Sequence, residues 1–333
     1  MVKTYIVSTH FNRTDFIYLQ YETIKRYFKG DYEYIVVNDG KNIGDYSNNR
    51  DSKFREKINK TCKDLGIKCI EVPQYLHNRR NLLFPNTIEI SSRNPSSRHT
   101  IGVQYIQNYI VKNYKEGYLL NLDSDMFFIN DFDINNIMNN CNFMLRYLKI
   151  TDNNEKIFGY HAWAGLFILD IKNLTNLDEL YWDCGKIGNI DVDSGGHSYN
   201  YLQKYNDILK IEQIHYTNCD GNINNCKTQI TEPKLLSLLD EFCNLRDDKN
   251  AYKEFFFNNS ILHLRSGGEW DTNRGKDSRD RNYFNNSVKL LYKFLNIPEK
   301  NIESSLSIPE KIIESSLSIP KKRKKQFGLN FTY

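Results

Sequence analysis

The chain has 333 residues, of which 40% are hydrophobic, and its formal net charge at pH 7 is +4. This length and apolar content fit one large domain or two small ones, and no apolar run of about 18 residues or more predicts a membrane span. Much of the positive excess lies in residues 321–325, so the nearly neutral remainder gives no reason to expect nucleic-acid binding.

The seven cysteines are odd in number and scattered, and none forms a Cys-x-x-Cys pair with zinc-ligand spacing. Reduced structural thiols in a cytosol-like compartment are therefore predicted, with a loop disulfide between Cys219 and Cys226 as the alternative. Residues 1–7 lack the long apolar segment of a signal peptide and favour a first strand. Together these features predict a cytoplasmic protein.

Strand-like and helix-like patterns alternate through the first 114 residues. Short β-rich runs occupy residues 4–8, 34–37 and 67–72, and helically spaced apolar residues occupy 15–28, 53–65 and 98–114. Residues 74–97 are polar and irregular, which predicts a loop of functional length. The alternation predicts a parallel sheet with right-handed crossovers and helices on its faces.

Two carboxylates follow the next predicted strand. Residues 118–122 form an apolar run that ends at Asp123 and Asp125, and a second apolar run follows at 126–129. Because a buried carboxylate is costly unless it is paired or binds a metal, this pattern favours a hard cation, Mg²⁺ or Mn²⁺. A capped turn without metal is the alternative. The same spacing at Asp131 and Asp133 is more typical of a turn and a helix N-cap.

Polar residues also end the first two strands, at Ser8-Thr9 and at Asn38-Asp39. Parallel strands place their carboxyl ends at one edge of the sheet, so these residues are expected to share a ligand crevice with Asp123 and Asp125. No Gly-x-Gly-x-x-Gly or Walker loop is present, which disfavours the common dinucleotide and ATP cradles.

The second half is less regular. Strands are predicted at residues 143–148 and 166–169 and helices at 134–139, 199–205 and 233–245. Residues 159–165, rich in glycine and aromatic side chains, suit either a sugar ring or an aromatic core corner. The glycine-rich loop at Asp191 and Asp193 carries either a catalytic carboxylate or a helix N-cap.

A short apolar strand near residue 261 presents His263, either as a metal ligand or as a structural histidine. Arg265, Arg274 and Lys276 follow closely, and they either neutralise phosphate oxygens or form a solvated basic loop. The folded domain is predicted to end near residue 295. Beyond it, residues 297–307 repeat almost unchanged at 308–318, which indicates a low-complexity tail.

These motifs resemble those of GT-A glycosyltransferases, which are nucleotide-diphospho-sugar transferases with an Asp-x-Asp metal motif. The resemblance covers residues 1–295 and rests on the strand at 5–8, Asn38-Asp39, Arg98, and Asp123-Ser-Asp125. Residues 261–270 are similar to the late metal-binding histidine segment of glycogenin-like members, except that Gly268-Glu269-Trp270 replaces the usual Lys-Pro-Trp. In its general features, the sequence resembles transferases of giant viruses or microbes.

The resemblance implies one large α/β domain of GT-A (Rossmann-like) type, with a mostly parallel central sheet flanked by helices. Residues 1–125 would form the nucleotide-binding half and 126–295 the acceptor half, followed by the tail at 296–333. It also implies a sugar-nucleotide donor, most often a UDP-sugar, a glycan, protein or lipid acceptor, and Mn²⁺ or Mg²⁺.

The resemblance also implies roles for individual residues. Asp125 and His263 would bind the metal directly, with Asp123 contacting the metal or the ribose. The nucleoside would be bordered by Ser8, Thr9 and Asp39, and the donor phosphates would contact Arg98. If the enzyme inverts the anomeric centre, Asp191 or Asp193 would be the base.

Two other functions stay open. A nucleotidyltransferase would make the sugar nucleotide, although no glycine-rich basic loop follows the first strand. A non-catalytic carbohydrate- or nucleotide-binding module would keep the fold without turnover.

Overall fold

The computed structural model describes residues 2–40, 53–84, 95–152, 155–219, 223–246, 251–265 and 278–298. Arg274, Lys276 and Gly268-Glu269-Trp270 lie outside these ranges, as do the repeats and the basic cluster of the tail.

The strands are β1 (Thr4–His10), β2 (Phe28–Lys29), β3 (Tyr32–Asn38), β4 (Lys68–Glu71), β5 (Tyr118–Leu122), β6 (Met126–Phe128), β7 (Phe132–Asp133), β8 (Phe143–Thr151), β9 (Ile157–Asp170), β10 (Gly185–Ile187), β11 (Ile190–Val192), β12 (Ile211–Gln213), β13 (Tyr216–Asn218), β14 (Glu254–Phe256) and β15 (Ile261–His263).

The helices are α1 (Thr14–Tyr27), α2 (Phe54–Leu65), α3 (Pro95–Asn113), α4 (Ile134–Ile137), α5 (Ser198–Tyr205), α6 (Ile223–Gln229), α7 (Pro233–Asn244) and α8 (Ser278–Leu295). Short 3₁₀ helices cover Gln74–His77, Arg80–Leu82 and Leu177–Glu179.

The central sheet has seven strands in the order β12-β8-β9-β5-β1-β3-β4. Its pairings are parallel except where β9 lies antiparallel between β5 and β8. The predicted α/β class, with a mostly parallel sheet flanked by helices, is therefore confirmed. The predicted division of the chain at residues 125 and 295 stays a prediction.

Both faces of the central sheet are buried, as the continuous apolar runs predict. On one face, Val7 and Leu119 pack with Ile106 of α3. On the other face, Ile6 and Leu120 pack with α1 and α2. The two layers of helices hold the strand ends of β1, β3 and β5 in fixed positions, and the candidate site lies at these ends.

A second sheet, in the order β13-β14-β15-β6, is antiparallel. Its register places His263 opposite Met126, and the amide of Leu264 donates to the carbonyl of Asp125 at 2.9 Å. The chain thus returns over 130 residues later to the turn that follows β5. This pairing brings the late histidine to the two early carboxylates.

The structure corrects one prediction about the cysteines. Cys219 and Cys226 form a disulfide, with their Cα atoms 5.5 Å apart, so the prediction of reduced thiols is wrong for this pair. Cys219 directly follows β13 and Cys226 lies in α6, so the alternative of a disulfide between these two residues is the correct one. The other five cysteines are not part of a disulfide.

The outer part of the sheet also differs from prediction. The strand predicted at 166–169 belongs to β9, which runs from Ile157 to Asp170 and pairs with a longer β8. The glycine-rich stretch at 159–165 is therefore part of a strand. No helix in the described ranges is both long and apolar enough to cross a membrane.

Candidate metal and nucleotide site

Asp123, Asp125 and His263 come together at the carboxyl end of β5. Each offers one ligand atom, and these atoms lie within 4.8 Å of one another. Asp125 and His263 are buried, and the Asp123 side chain is 17% exposed. The three residues predicted to bind metal thus form one cluster, which we call the carboxylate–histidine cluster.

The turn that carries the two aspartates is fixed by Gln20 of α1. Its side-chain amide donates to the carbonyls of Asp123 and Met126, both at 2.9 Å. Its side-chain oxygen accepts from the Tyr34 hydroxyl at 2.8 Å. Because Gln20 is fully buried and bonded at both ends of its amide, the two carboxylates have little freedom to move apart.

His263 is held between two carboxylates. Its Nε2 lies 3.1 Å from Oδ1 of Asp125, and its Nδ1 lies 2.8 Å from Oε2 of Glu254 on the neighbouring strand β14. Burial lowers the pKa of His263, but the charge of Asp125 and the hydrogen bonds to both carboxylates outweigh it and raise the pKa to about 10. A cation at this site would therefore replace the proton on Nε2.

Arg146 of β8 forms an ion pair with Glu254, the same carboxylate that binds His263. Its guanidinium lies 3.1 Å and 3.2 Å from the two carboxylate oxygens of Glu254. Burial raises the pKa of Glu254, but the hydrogen bond and charge of His263 and the charges of Arg146 and Arg265 bring it down to about 2. Neither Glu254 nor Arg146 was predicted from sequence, because only the pairing of β14 with β15 places Glu254 opposite His263.

The donor set fits a divalent cation. Burial raises the pKa of Asp123, the neighbouring Asp125 raises it further, and His99, 3.9 Å away, lowers it. Two adjacent carboxylates in a dry site disfavour each other's charge, and a divalent ion removes that cost. Carboxylate oxygens suit Mg²⁺ and Mn²⁺, and the imidazole nitrogen also suits softer transition metals.

Asp39 and Arg98 form a buried ion pair near this cluster. Nε of Arg98 lies 2.5 Å from Oδ2 of Asp39, and His77 Nε2 lies 2.8 Å from Oδ1. Both charged side chains are fully buried, and the Arg98 guanidinium also lies over the ring of Phe11. The contact of Arg98 with donor phosphates and of Asp39 with a nucleoside stays a prediction.

Ser8 and Thr9 lie inside β1, which extends to His10. Both side chains are buried, and a Cβ placed on Gly102 of α3 would lie 2.6 Å from the Thr9 methyl group. Their side chains therefore lie within the packed layers beside the sheet, and their contact with a nucleoside stays a prediction.

Asp191 and Asp193 are exposed residues in and just after β11, which forms a hairpin with β10. Asp191 lies 3.9 Å from Lys186, and Asp193 accepts from the amide of Ser194 at 2.7 Å. Their role as base stays a prediction. Arg265 is half-buried two residues after the end of β15, close enough for its charge to lower the pKa of Glu254.

No known protein family and no curated protein matches the sequence of this chain. Among solved structures, the chain is similar to core-mannan synthase A of Aspergillus fumigatus in its Mn/GDP form, with 15% identity and a TM-score of 0.29. The match covers 50% of this chain and 59% of the mannan synthase, so the chain spans less than two thirds of that structure. A similarity of this size does not identify a family.

Proposed function

We propose that this protein is a metal-dependent glycosyltransferase. It would move a sugar from a nucleotide-diphosphate donor, with UDP-sugars the first donors to test, to a glycan, protein or lipid acceptor. The observation that carries the proposal is the buried carboxylate–histidine cluster of Asp123, Asp125 and His263 at the carboxyl end of β5. The GT-A resemblance of the same residues supports it.

The cluster would hold Mn²⁺ or Mg²⁺, which when bound acts as a Lewis acid on the leaving diphosphate. Glu254 holds His263 in one orientation, so that Nε2 faces Asp125. The half-buried Arg265 adds a positive charge beside the cluster, where negative charge builds up as the sugar–phosphate bond breaks. Lys276 is proposed to add a second one.

The sheet order supports one proposed arrangement of a bound donor. The cluster follows β5, with β1 and β3 on one side of that strand and β9 and β8 on the other. Asp39 directly follows β3, and the nucleoside is proposed to bind on this side of the cluster. The sugar would then lie over the β9 side, and Asp191 or Asp193 would be the base if the reaction inverts.

The proposal is tested by a panel of nucleotide sugars scored for metal-dependent release of nucleoside diphosphate. We expect release from at least one donor with Mn²⁺ and none in the presence of a chelator. Asp125→Asn should abolish release, whereas Asp131→Asn, which alters an exposed carboxylate in the second Asp-x-Asp, should not. Release from no donor would favour the nucleotidyltransferase or the non-catalytic binding module instead. Release that a chelator leaves unchanged would contradict the role of the metal.

A further inference from the structure

A row of aromatic rings leads away from His263. The Trp163 ring centroid lies 5.6 Å from that of His263 and 6.2 Å from that of Phe256. Phe256 in turn stacks on Tyr216, with centroids 5.7 Å apart and planes inclined by 30°. Phe256 is fully buried, Trp163 is half-buried and Tyr216 is 39% exposed. We call Trp163, Phe256 and Tyr216 the ring row.

Arg146 fixes the ring row in place. Its guanidinium lies 4.0 Å from the Tyr216 centroid and 5.0 Å from that of Trp163, while the same group pairs with Glu254. The cationic group therefore ties the rings to the residue that orients His263. A ligand that stacks on rings already held in one position loses less side-chain entropy on binding.

An irregularity in β9 puts Trp163 at this position. The pairing shifts from Leu145↔Phe167 to Tyr147↔Ala162, so β9 carries more residues than β8 across this interval. Such bulges redirect side chains and recur near active sites. Gly165 leaves room for the indole, since a Cβ there would lie 2.3 Å from the Trp163 ring.

The location of the ring row decides which part of a substrate it can contact. It lies on the β9 side of the carboxylate–histidine cluster, opposite the β1 and β3 side where the nucleoside is proposed to bind. If the nucleoside binds on the β1 and β3 side, the part of a substrate that contacts Trp163 in β9 would be a sugar. The apolar CH face of a pyranose packs well on an aromatic ring.

We propose that Trp163 and Tyr216 form a binding subsite for a pyranose ring of the acceptor glycan. This inference rests on the proposed glycosyl transfer and specifies its acceptor as a carbohydrate. The same chemistry could serve the sugar of the donor, so the experiment compares free glycans with sugar nucleotides.

The probes are homotrisaccharides of glucose, mannose, galactose and N-acetylglucosamine, titrated by saturation-transfer NMR with diamagnetic Mg²⁺ and UDP or GDP present. We expect at least one trisaccharide to bind, and Trp163→Ala and Tyr216→Ala to weaken that binding at least tenfold. Trp163→Phe should retain part of the affinity, because it keeps a ring. Tyr75→Ala is the matched control, since Tyr75 is 55% exposed on a 3₁₀ helix after β4.

The Mn²⁺–nucleotide affinity of Tyr216→Ala should equal that of the wild type, because Tyr216 lies at the end of the ring row away from His263. A loss of nucleotide affinity in Tyr216→Ala would show base stacking and overturn the proposal, as would wild-type protein that binds no trisaccharide. If the variants kept their trisaccharide affinity but lost the extra affinity of UDP-sugar relative to UDP, the subsite would serve the donor sugar. That result would also overturn the proposal. The glycan titration needs no turnover. It can therefore show binding when the donor panel shows no release, and the panel can show release when no trisaccharide binds.

Discussion

Glu254 accepts a 2.8 Å hydrogen bond from Nδ1 of His263, so the other ring nitrogen faces Asp125. The two residues are direct neighbours across the β14–β15 pair. Metal-binding histidines commonly have such a carboxylate behind them, which fixes the ring orientation and increases the basicity of the ligand nitrogen. Glu254 is therefore a positioning residue for the carboxylate–histidine cluster.

Replacing Glu254 with glutamine should weaken Mn²⁺ binding about 10- to 100-fold, because the amide keeps the shape but loses the charge. Isothermal titration with Mn²⁺ measures this directly. Glu212→Gln, which alters an exposed glutamate on β12, is the matched control and should leave the affinity unchanged. Equal Mn²⁺ affinities of the wild type and Glu254→Gln would show that Glu254 is not a positioning residue for the cluster.

The carboxylate–histidine cluster is predictable from the sequence because each of its parts has a local signal. Asp123 and Asp125 end an apolar strand, and His263 ends another, so their burial and role follow from nearby residues. Glu254 has no such signal. It lies in a three-residue strand, and its importance comes only from the partner strand across the hairpin.

The inner strands of the central sheet are likewise more predictable from the sequence than the outer strands. Strands buried on both faces, such as β3 and β5, are continuous apolar runs in the sequence. The side chains of β9 are exposed at residues 157–158 and buried at residues 166–169. Gly159 and Gly165 lie within this strand, although glycines in a sequence usually indicate the end of one. Gly159 accommodates the ring of Tyr199, a distant residue in α5, and Gly165 accommodates the ring of Trp163 within the bulge of β9. Neither requirement follows from the period of the apolar residues.

Asp39→Asn should lower the free energy of unfolding by about 3–5 kcal/mol, because it removes the carboxylate charge that pairs with the fully buried Arg98. Urea unfolding measures the change. The matched control is Glu71→Gln, since Glu71 pairs with Arg55 but is 48% exposed, and we expect a loss below about 1 kcal/mol. Similar losses in the two variants would mean that the Asp39–Arg98 pair is not a buried structural pair.

The contribution of Asp39 should also depend on pH. Burial raises the pKa of Asp39, but the charge of Arg98 and the hydrogen bond with His77 outweigh it and leave the pKa below its usual value of 3.8. A carboxyl with a depressed folded-state pKa stabilises the fold above its unfolded-state pKa and loses that effect as acid protonates it. The difference in unfolding free energy between the wild type and Asp39→Asn should therefore narrow below about pH 4. A difference that widens in acid would contradict the assigned charge state.

Gly195 should tolerate alanine much less well than Gly188, although both have positive φ angles, of 89° and 60°. A Cβ on Gly195 would lie 2.0 Å from the Ala162 carbonyl oxygen in the bulged part of β9, whereas nothing lies within 4 Å of one on Gly188. Gly188→Ala carries only the cost of the left-handed backbone, about 1–2 kcal/mol, and Gly195→Ala should cost about 3 kcal/mol or more. Because the clash lies beside Trp163, Gly195→Ala should also weaken trisaccharide binding while Gly188→Ala preserves it. Urea unfolding and the NMR titration measure both effects, and equal responses of the two variants would show that Gly195 does not support the bulge.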